Sequence, residues 1–310
     1  MLIRSIGVQL LVFLLIFSGC NKRTSNGPDI QIPDSSRIKL EPFGSENSLE
    51  ILTWNIENFP KIGAQTVTDV VEIIRDLGAD IIAMQEIRDT VSFRLVLSKL
   101  PNYDGTYSND VYGDGSYQKT AVIFKKDMVS LLDKEMLFPN DSYSFPRPPL
   151  QVYLRVQKNN RTFDFYLIVL HLKAFSSSED QARRRQACQK LKIYLDDQLA
   201  TGPEKEFIVL GDWNDSLTDP DPENVFKVFL DDPADYHFLT ASLAQSPQEN
   251  ATYIGYSIGS VIDHILITQE VTDEYNSGTT AVIKVDKSFG AYISEVSDHR
   301  PVGAIFPLFK

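Results

Sequence analysis

Six apolar runs in this chain end in polar residues of a single chemical kind. "ILTWNIEN" closes on Asn55 and Glu57, "IIAMQEIRD" on Glu86, and "LIVLHLKAF" on His171 and Lys173. "VLGDWND" delivers Asp212 and Asn214, "SVIDHILI" carries Asp263 and His264, and "EVSDHRPV" sets Asp298 and His299 before the last apolar run. Carboxylates with an amide oxygen suit a hard cation such as Mg²⁺, or Mn²⁺ or Ca²⁺, which takes oxygen ligands. Imidazoles suit proton movement near neutral pH and the stabilisation of charge developing on a phosphate. A cation beside Asp, Asn and His therefore reads as phosphate ester hydrolysis. The histidines lack zinc-site spacing and there is no cysteine cluster. Acyl transfer and kinase chemistry find no Ser/His/Asp elbow and no glycine-rich phosphate cradle.

Each place taken alone has a plainer reading. Asn55, Asp212 and Asn214 are ordinary turn formers. Glu86 reads equally well as a solvated carboxylate, His171 as a satisfied core histidine, and Asp298 with His299 as a loop pair. Asp263 is harder to dismiss, because an Asp inside an apolar strand is costly unless paired or coordinated. Of the four histidines, His171, His237, His264 and His299, two close apolar runs beside carboxylates. The plain readings must all hold at once, which weakens them jointly.

The elements that would bring these residues together are short apolar strands alternating with helical stretches. Strands are expected at 50–55, 80–85, 120–125, 151–156, 163–170, 207–210, 261–268 and 302–307. Helices are expected at 67–77 and 179–200. The first has Val67, Val70, Val71, Ile74 and Leu77 on one side, and Gly78 as its stop. The second has Glu179 and Asp180 in its first turn, where they suit the helix dipole. Many strands with few helices predict sheets packed on each other with helices outside. Strands sharing sheets bring the polar ends together at one rim.

The remainder of the chain bounds where this domain works. Residues 1–20, "MLIRSIGVQLLVFLLIFSGC", have a charge, an apolar run from Val8 to Phe17 and small residues before Cys20. That is a secretory signal pattern with a core short for a membrane span. "FSGC" is similar to the bacterial lipobox, so Cys20 is the expected lipidation site and membrane anchor; ordinary cleavage beside an incidental cysteine is the alternative. Residues 21–48 are polar and rich in Pro, Ser, Asn and Gly, and read as a flexible tether. Residues 49–310 make one large α/β domain. Apart from Cys20 there is only Cys188, so an exported domain here holds no internal disulfide. Cys188 shares a helical face with Leu191, Leu195 and Leu199, which predicts a buried, inert thiol. The net charge of −12 argues against tight nonspecific nucleic-acid binding, but part of it is what a cation site would carry.

In order and type, "WNIEN", "MQEIRD", "GSYQKTAVIFKK", "FPRPPLQVYL", "VLHLKAF", "VLGDWND", "VIDHILI" and "SDHRPV" resemble the endonuclease/exonuclease/phosphatase superfamily across nearly all of 49–310. The layout is closest to its deoxyribonuclease I-like branch. The resemblance implies a four-layer α/β/β/α sandwich with a divalent-metal site between the upper ends of two sheets. It implies that Asn55 and Glu86 hold the metal, that Asp298 binds metal or completes the polar floor, and that Asp212 and Asn214 orient and activate water. Asp263 would orient His299, and His299 and His171 would contact the scissile phosphate. Tyr117 and Arg147 match substrate-phosphate positions. Lys173 and Arg183 are added as candidate phosphate contacts, with Arg184 and Arg185 expected on a solvated helix face. Lys119 stands where that branch has a carboxylate, and Glu57 where it has a basic residue.

The leading expectation is an exported, membrane-anchored, metal-dependent phosphodiesterase acting on nucleic acid as a monomer, in the periplasm or at the cell surface. A phosphatase of lipid head groups or sugar phosphates fits the acidic charge better. A non-catalytic surface-binding lipoprotein is the reading from another class; the complete set of Asn55, Glu86, Asp212, Asn214, Asp263 and His299 argues against it.

Overall fold

The structure, a computed structural model, describes residues 36–256 and 259–309. The expected signal segment and Cys20 lie outside the described residues. The chain runs through β1 (Leu49–Phe59), α1 (Ala64–Leu77), β2 (Ile81–Ile87), α2 (Thr90–Lys99), β3 (Tyr103–Tyr107), β4 (Lys119–Lys125), β5 (Val129–Met136) and β6 (Leu150–Lys158). It continues through β7 (Arg161–His171), α3 (Ser178–Thr201), β8 (Phe207–Asp212), β9 (Tyr236–Phe238), β10 (Asp263–Thr268), β11 (Thr279–Val282) and β12 (Val302–Phe306). These strands form two six-stranded sheets, ordered β11-β12-β1-β2-β4-β3 and β5-β6-β7-β8-β10-β9. The sheets pack face to face with helices outside, the four-layer α/β/β/α sandwich.

Side-chain parity explains both the core and its polar rim. Successive strand residues point to opposite faces. Leu49 and Ile51 of β1 are buried between the sheets, together with Leu167 and Val169 of β7, Ile208 and Leu210 of β8, and Ile265 and Ile267 of β10. The same parity carried to the strand ends reaches Asn55, His171, Asp212 and Asp263. This polar row is thus the core-facing row of each strand continued past its apolar residues, directly on β7, β8 and β10 and after Thr53 on β1. On the other parity, Ile168 and Leu170, with Phe207 and Val209, pack under α3 against Ala187, Cys188, Leu191 and Leu195. Cys188 is fully buried, as its helical face requires.

Several elements differ from expectation. β3, β5, β9, β11 and α2 carry little apolar signal; β5 is an edge strand in which only Val129 is buried. α2 buries only Phe93 and Val96, and its start is fixed by Asp89, which accepts from the Val91 and Ser92 amides. Residues 36–48, expected in the tether, pack on the domain instead. Ile38 is fully buried, its amide donates to Glu72, and the Phe43 amide donates to the Leu77 carbonyl. Two apolar anchors and a few backbone bonds suffice, which average composition does not reveal.

Candidate active site

Strand register assembles the centre. His171 on β7 pairs with Asp212 on β8, and Asp212 pairs with Asp263 on β10. Three adjacent strands therefore end in one row, His171–Asp212–Asp263. Gly211 makes this possible. It has φ +147, and a Cβ there would lie 2.1 Å from the Leu170 carbonyl oxygen of the neighbouring strand. Only glycine lets β7 and β8 close up beside Asp212.

The opposing sheet supplies Asn55 and Glu86. The Asn55 Nδ2 donates to Asp212 Oδ2 at 3.0 Å and to Glu86 Oε1 at 3.3 Å. The oxygen of the same amide accepts from the Glu57 backbone N–H, which fixes the orientation of the group. Asn55 therefore presents N–H groups to the two carboxylates and orients them beside each other. Glu86 is off the core-facing parity of β2. A register irregularity between Met84 and Ile87 and a φ of +66 turn it inward. Irregularities of this kind re-aim side chains beside functional sites, and a strained non-glycine residue is a pointer to function. Its other oxygen accepts from the Asn58 amide and from Gln118 Nε2.

His299 comes from the loop before β12. Its Nδ1 lies 2.9 Å from Asp263 Oδ2, and its Nε2 faces Asp212 Oδ2 at 3.8 Å and Asp298 Oδ1 at 4.0 Å. Burial alone would lower the pKa of His299, but the charges of Asp263 and Asp212 and the Asp263 hydrogen bond outweigh it and raise it to about 10. His171 differs: burial, with Arg147 and His299 nearby, pushes its pKa well down, and its Nε2 stands 3.5 Å from Asp212. At neutral pH the centre holds one imidazolium and one neutral imidazole. Burial raises Asp212 to about 7, with the negative charges of Asp263 and Glu86 adding to the rise and His299 opposing it. Asp298 is likewise raised by burial to about 6.

A cleft of about 1010 Å³ opens over this centre. Glu86, His171, Asp212, Asn214, Asp298, His299, Arg147, Lys173 and Arg183 line it, as the sequence reading grouped them. Asp263 lies behind His299, fully buried. Tyr117 is not in the lining; its hydroxyl sits 3.4 Å from the Thr90 amide at the start of α2. The neighbouring Gln118 and Tyr112 line the cleft instead, and Gln118 accepts from Arg147 at 2.9 Å. The sequence missed Gln118 because alternation at the mouth of β4 gave no sign of which residue faces inward.

Arg184 is not on a solvated face. It is buried, pairs with Asp215 at 2.8 Å, and donates to the Lys173 and Phe175 carbonyls. Arg185 donates to the Asn224 and Glu223 carbonyls. His264 points away from the centre, hydrogen-bonded to Thr240 and to the Asp215 carbonyl, and burial lowers its pKa to about 4.

The donor set fits a hard cation. Among the described residues, atoms of Asp212, Asp263 and His299 lie within 4.8 Å of one another, close enough to share an ion. The His299 Nδ1 is engaged by Asp263, however, so oxygen donors are the better candidates: Glu86 first, then Asp298 and Asp212. Glu57, Glu86, Asp212, Asp215, Asp219 and Asp298 crowd the cleft, which is the imbalance a divalent ion corrects.

Comparison with solved structures establishes the fold independently. D. rerio TDP2 complexed with single strand DNA product is 17% identical, with TM-score 0.60 over 84% of this chain and 99% of its own. The mannosyl-6-phosphatase of Bacteroides thetaiotaomicron is 15% identical, with TM-score 0.59 over 83% and 98%. The human Nocturnin catalytic domain with bound sulfate anion is 16% identical, with TM-score 0.58 over 85% and 95%. No curated protein matches the chain. The model of the Endonuclease/Exonuclease/phosphatase family matches residues 52–299, which span every centre residue from Asn55 to His299, and the chain belongs to that family.

Proposed function

We propose that this protein is a divalent-metal-dependent phosphodiesterase that cleaves nucleic acid. The observation that carries the reading is the row His171–Asp212–Asp263 with His299 clamped by Asp263 and aimed at Asp212. A raised carboxylate beside an imidazolium is a base and a charge stabiliser in one place. Asp212, ionising near neutral pH, takes the proton of an attacking water that Asn214 helps to orient. His299, held charged by Asp263, stabilises the charge that develops on the phosphate and stands ready to donate a proton. Neutral His171 contacts the phosphate without adding charge. Glu86, with Asp298, would hold a Mg²⁺, Mn²⁺ or Ca²⁺ ion, which supplies charge neutralisation at the phosphate oxygens. Arg147 faces the same cleft and suits the phosphate as a planar donor.

A second reading rests on a specific observation. Lys173 is paired with Asp180 and Arg183 is held by the Ser142 and Tyr143 carbonyls, while the chain as a whole carries −12. A long polyanion gains little from such a surface, and a compact sugar phosphate or lipid head group needs less of it. For location, the lipobox-like "FSGC" supports an exported domain anchored through lipidated Cys20, tested by metabolic labelling with a fatty acid and a Cys20→Ser variant.

The test of function is nicking of supercoiled plasmid by a fragment starting at residue 36, with Mg²⁺ or with EDTA. Nicking that requires the metal and is absent in His299→Ala supports the nuclease. Hydrolysis of hexose phosphates or phosphoinositides without nicking moves the substrate to the second reading. Folded protein that hydrolyses none of these returns it to a binding role.

A further inference from the structure

Phe175 stands at the edge of the cleft in a place that folding does not explain. It follows β7 and precedes α3, it is 78% exposed, and its backbone adopts φ +76. A bulky residue in the left-handed region is uncommon and costs free energy, and an exposed ring returns none of that cost through packing. Yet the conformation is firmly held. The Arg184 guanidinium donates to the Phe175 carbonyl at 2.6 Å and to the Lys173 carbonyl at 2.8 Å, while its Nε bonds Asp215. Asp215 directly follows Asn214, so one buried arginine ties the Phe175 backbone to the corner that carries Asp212 and Asn214. One face of the ring is covered by Lys173, whose Nζ lies 4.6 Å from the ring centroid. The ring has no other aromatic partner among the described residues, and Phe175 and Lys173 both line the cleft.

We propose that Phe175 is a stacking platform for a nucleobase next to the scissile phosphate, and that Arg184 is the positioning residue that fixes the platform relative to the catalytic corner. The inference rests on the nucleic-acid reading above and deepens it. A planar base offers a π-face to the open side of the ring whatever its identity, so the contact adds affinity with little sequence preference. Lys173, paired with Asp180, covers the opposite face and leaves one face of the ring open to the base. A stacked base also offsets the weak electrostatic attraction that an acidic protein has for a polyanion.

The test uses a short single-stranded oligodeoxynucleotide and versions of it with one abasic residue at successive positions. Base–aromatic stacking of ordinary strength predicts that Phe175→Ala raises KM about tenfold, with an unchanged thermal midpoint, and that Phe175→Tyr restores it. An abasic residue at one position beside the cut should raise the wild-type KM by a similar factor, and should then add nothing in Phe175→Ala. A second readout needs no turnover. Trp54 and Trp213 are fully buried, so Phe175→Trp introduces an exposed indole. In EDTA its fluorescence should be quenched by the intact strand and not by a fully abasic strand of equal length. If wild type cleaves the strand but Phe175→Ala does so with the same KM, or loses equally on intact and abasic strands, the platform is disproved and the nuclease stands. If wild type cleaves no oligonucleotide and hydrolyses hexose phosphates instead, the nucleic-acid reading fails first and the nucleobase platform falls with it.

Discussion

At the scale of single residues, the centre works by setting apart the charges of groups that are neighbours. His171 and His299 both face Asp212, yet one is neutral and the other charged, because Asp263 stands behind only one of them. Replacing Asp212 or His299 by Ala should lower kcat at least about 10²-fold, as loss of a general base or a preorganised charge does. Thermal midpoints should hold or rise in Asp212→Ala, since it removes a buried carboxylate among other carboxylates. Near-wild-type turnover in either variant would remove that residue from the proposed chemistry. Glu86 makes a separate prediction. Asn58 and Gln118 donate to one oxygen and Asn55 to the other, so the amide oxygen of Glu86→Gln can keep the first two bonds while the Asn55 bond and the charge for a metal are lost. A metal titration of activity should shift to higher concentration by about 10-fold or more; an unshifted curve would mean another residue holds the ion.

At the scale of elements, the site depends on how closely β7 and β8 approach. Gly211→Ala places a methyl group against the Leu170 backbone, which cannot yield without parting the strands. The expected cost is about 2 kcal/mol or more in urea unfolding, with activity lost in the fraction that remains folded. A stable, active Gly211→Ala would show that the strands have slack there. The same element explains what the sequence revealed. The apolar runs 163–170 and 207–210 were readable because both faces of these central strands are buried, so their polar ends stood out sharply. His171, Asp212 and Asp263 could then be grouped by their common position at strand ends. Glu86 stands out by its type, but the bulge that turns it inward is not legible, because backbone irregularity leaves no mark in periodicity. Edge strand β5 and helix α2 escaped for the opposite reason: each buries too little to pattern its sequence. Arg184 departs from the solvated face that its sequence predicts because a buried arginine carries no local pattern of its own: its partners, Asp215 and two carbonyls, come from distant turns.

At the scale of the whole molecule, acidic charge is concentrated enough to make stability depend on pH away from the centre as well as within it. Glu206 shows this most simply. Burial, with the charges of Glu274 and Glu204 added, raises its carboxyl from 4.5 to about 8. Its proton is therefore held more tightly in the folded state than in the unfolded chain. The stability this contributes is complete below about pH 4.5 and is lost as pH rises through about 8. Glu50, raised to about 7 mainly by burial beside Asp80, acts in the same direction. The thermal midpoint of the wild type should therefore fall between pH 5 and pH 9. Glu206→Gln imitates the protonated carboxyl at every pH. It should match wild type near pH 5 and exceed it at pH 9, with the difference growing between those limits. The effect is read as a difference of midpoints across a pH series, with EDTA present so that the carboxylates of the centre contribute equally to both proteins. A difference that stays flat with pH would mean that Glu206 ionises freely in the folded state and that the loss of stability at high pH belongs to the net charge of −12 as a whole.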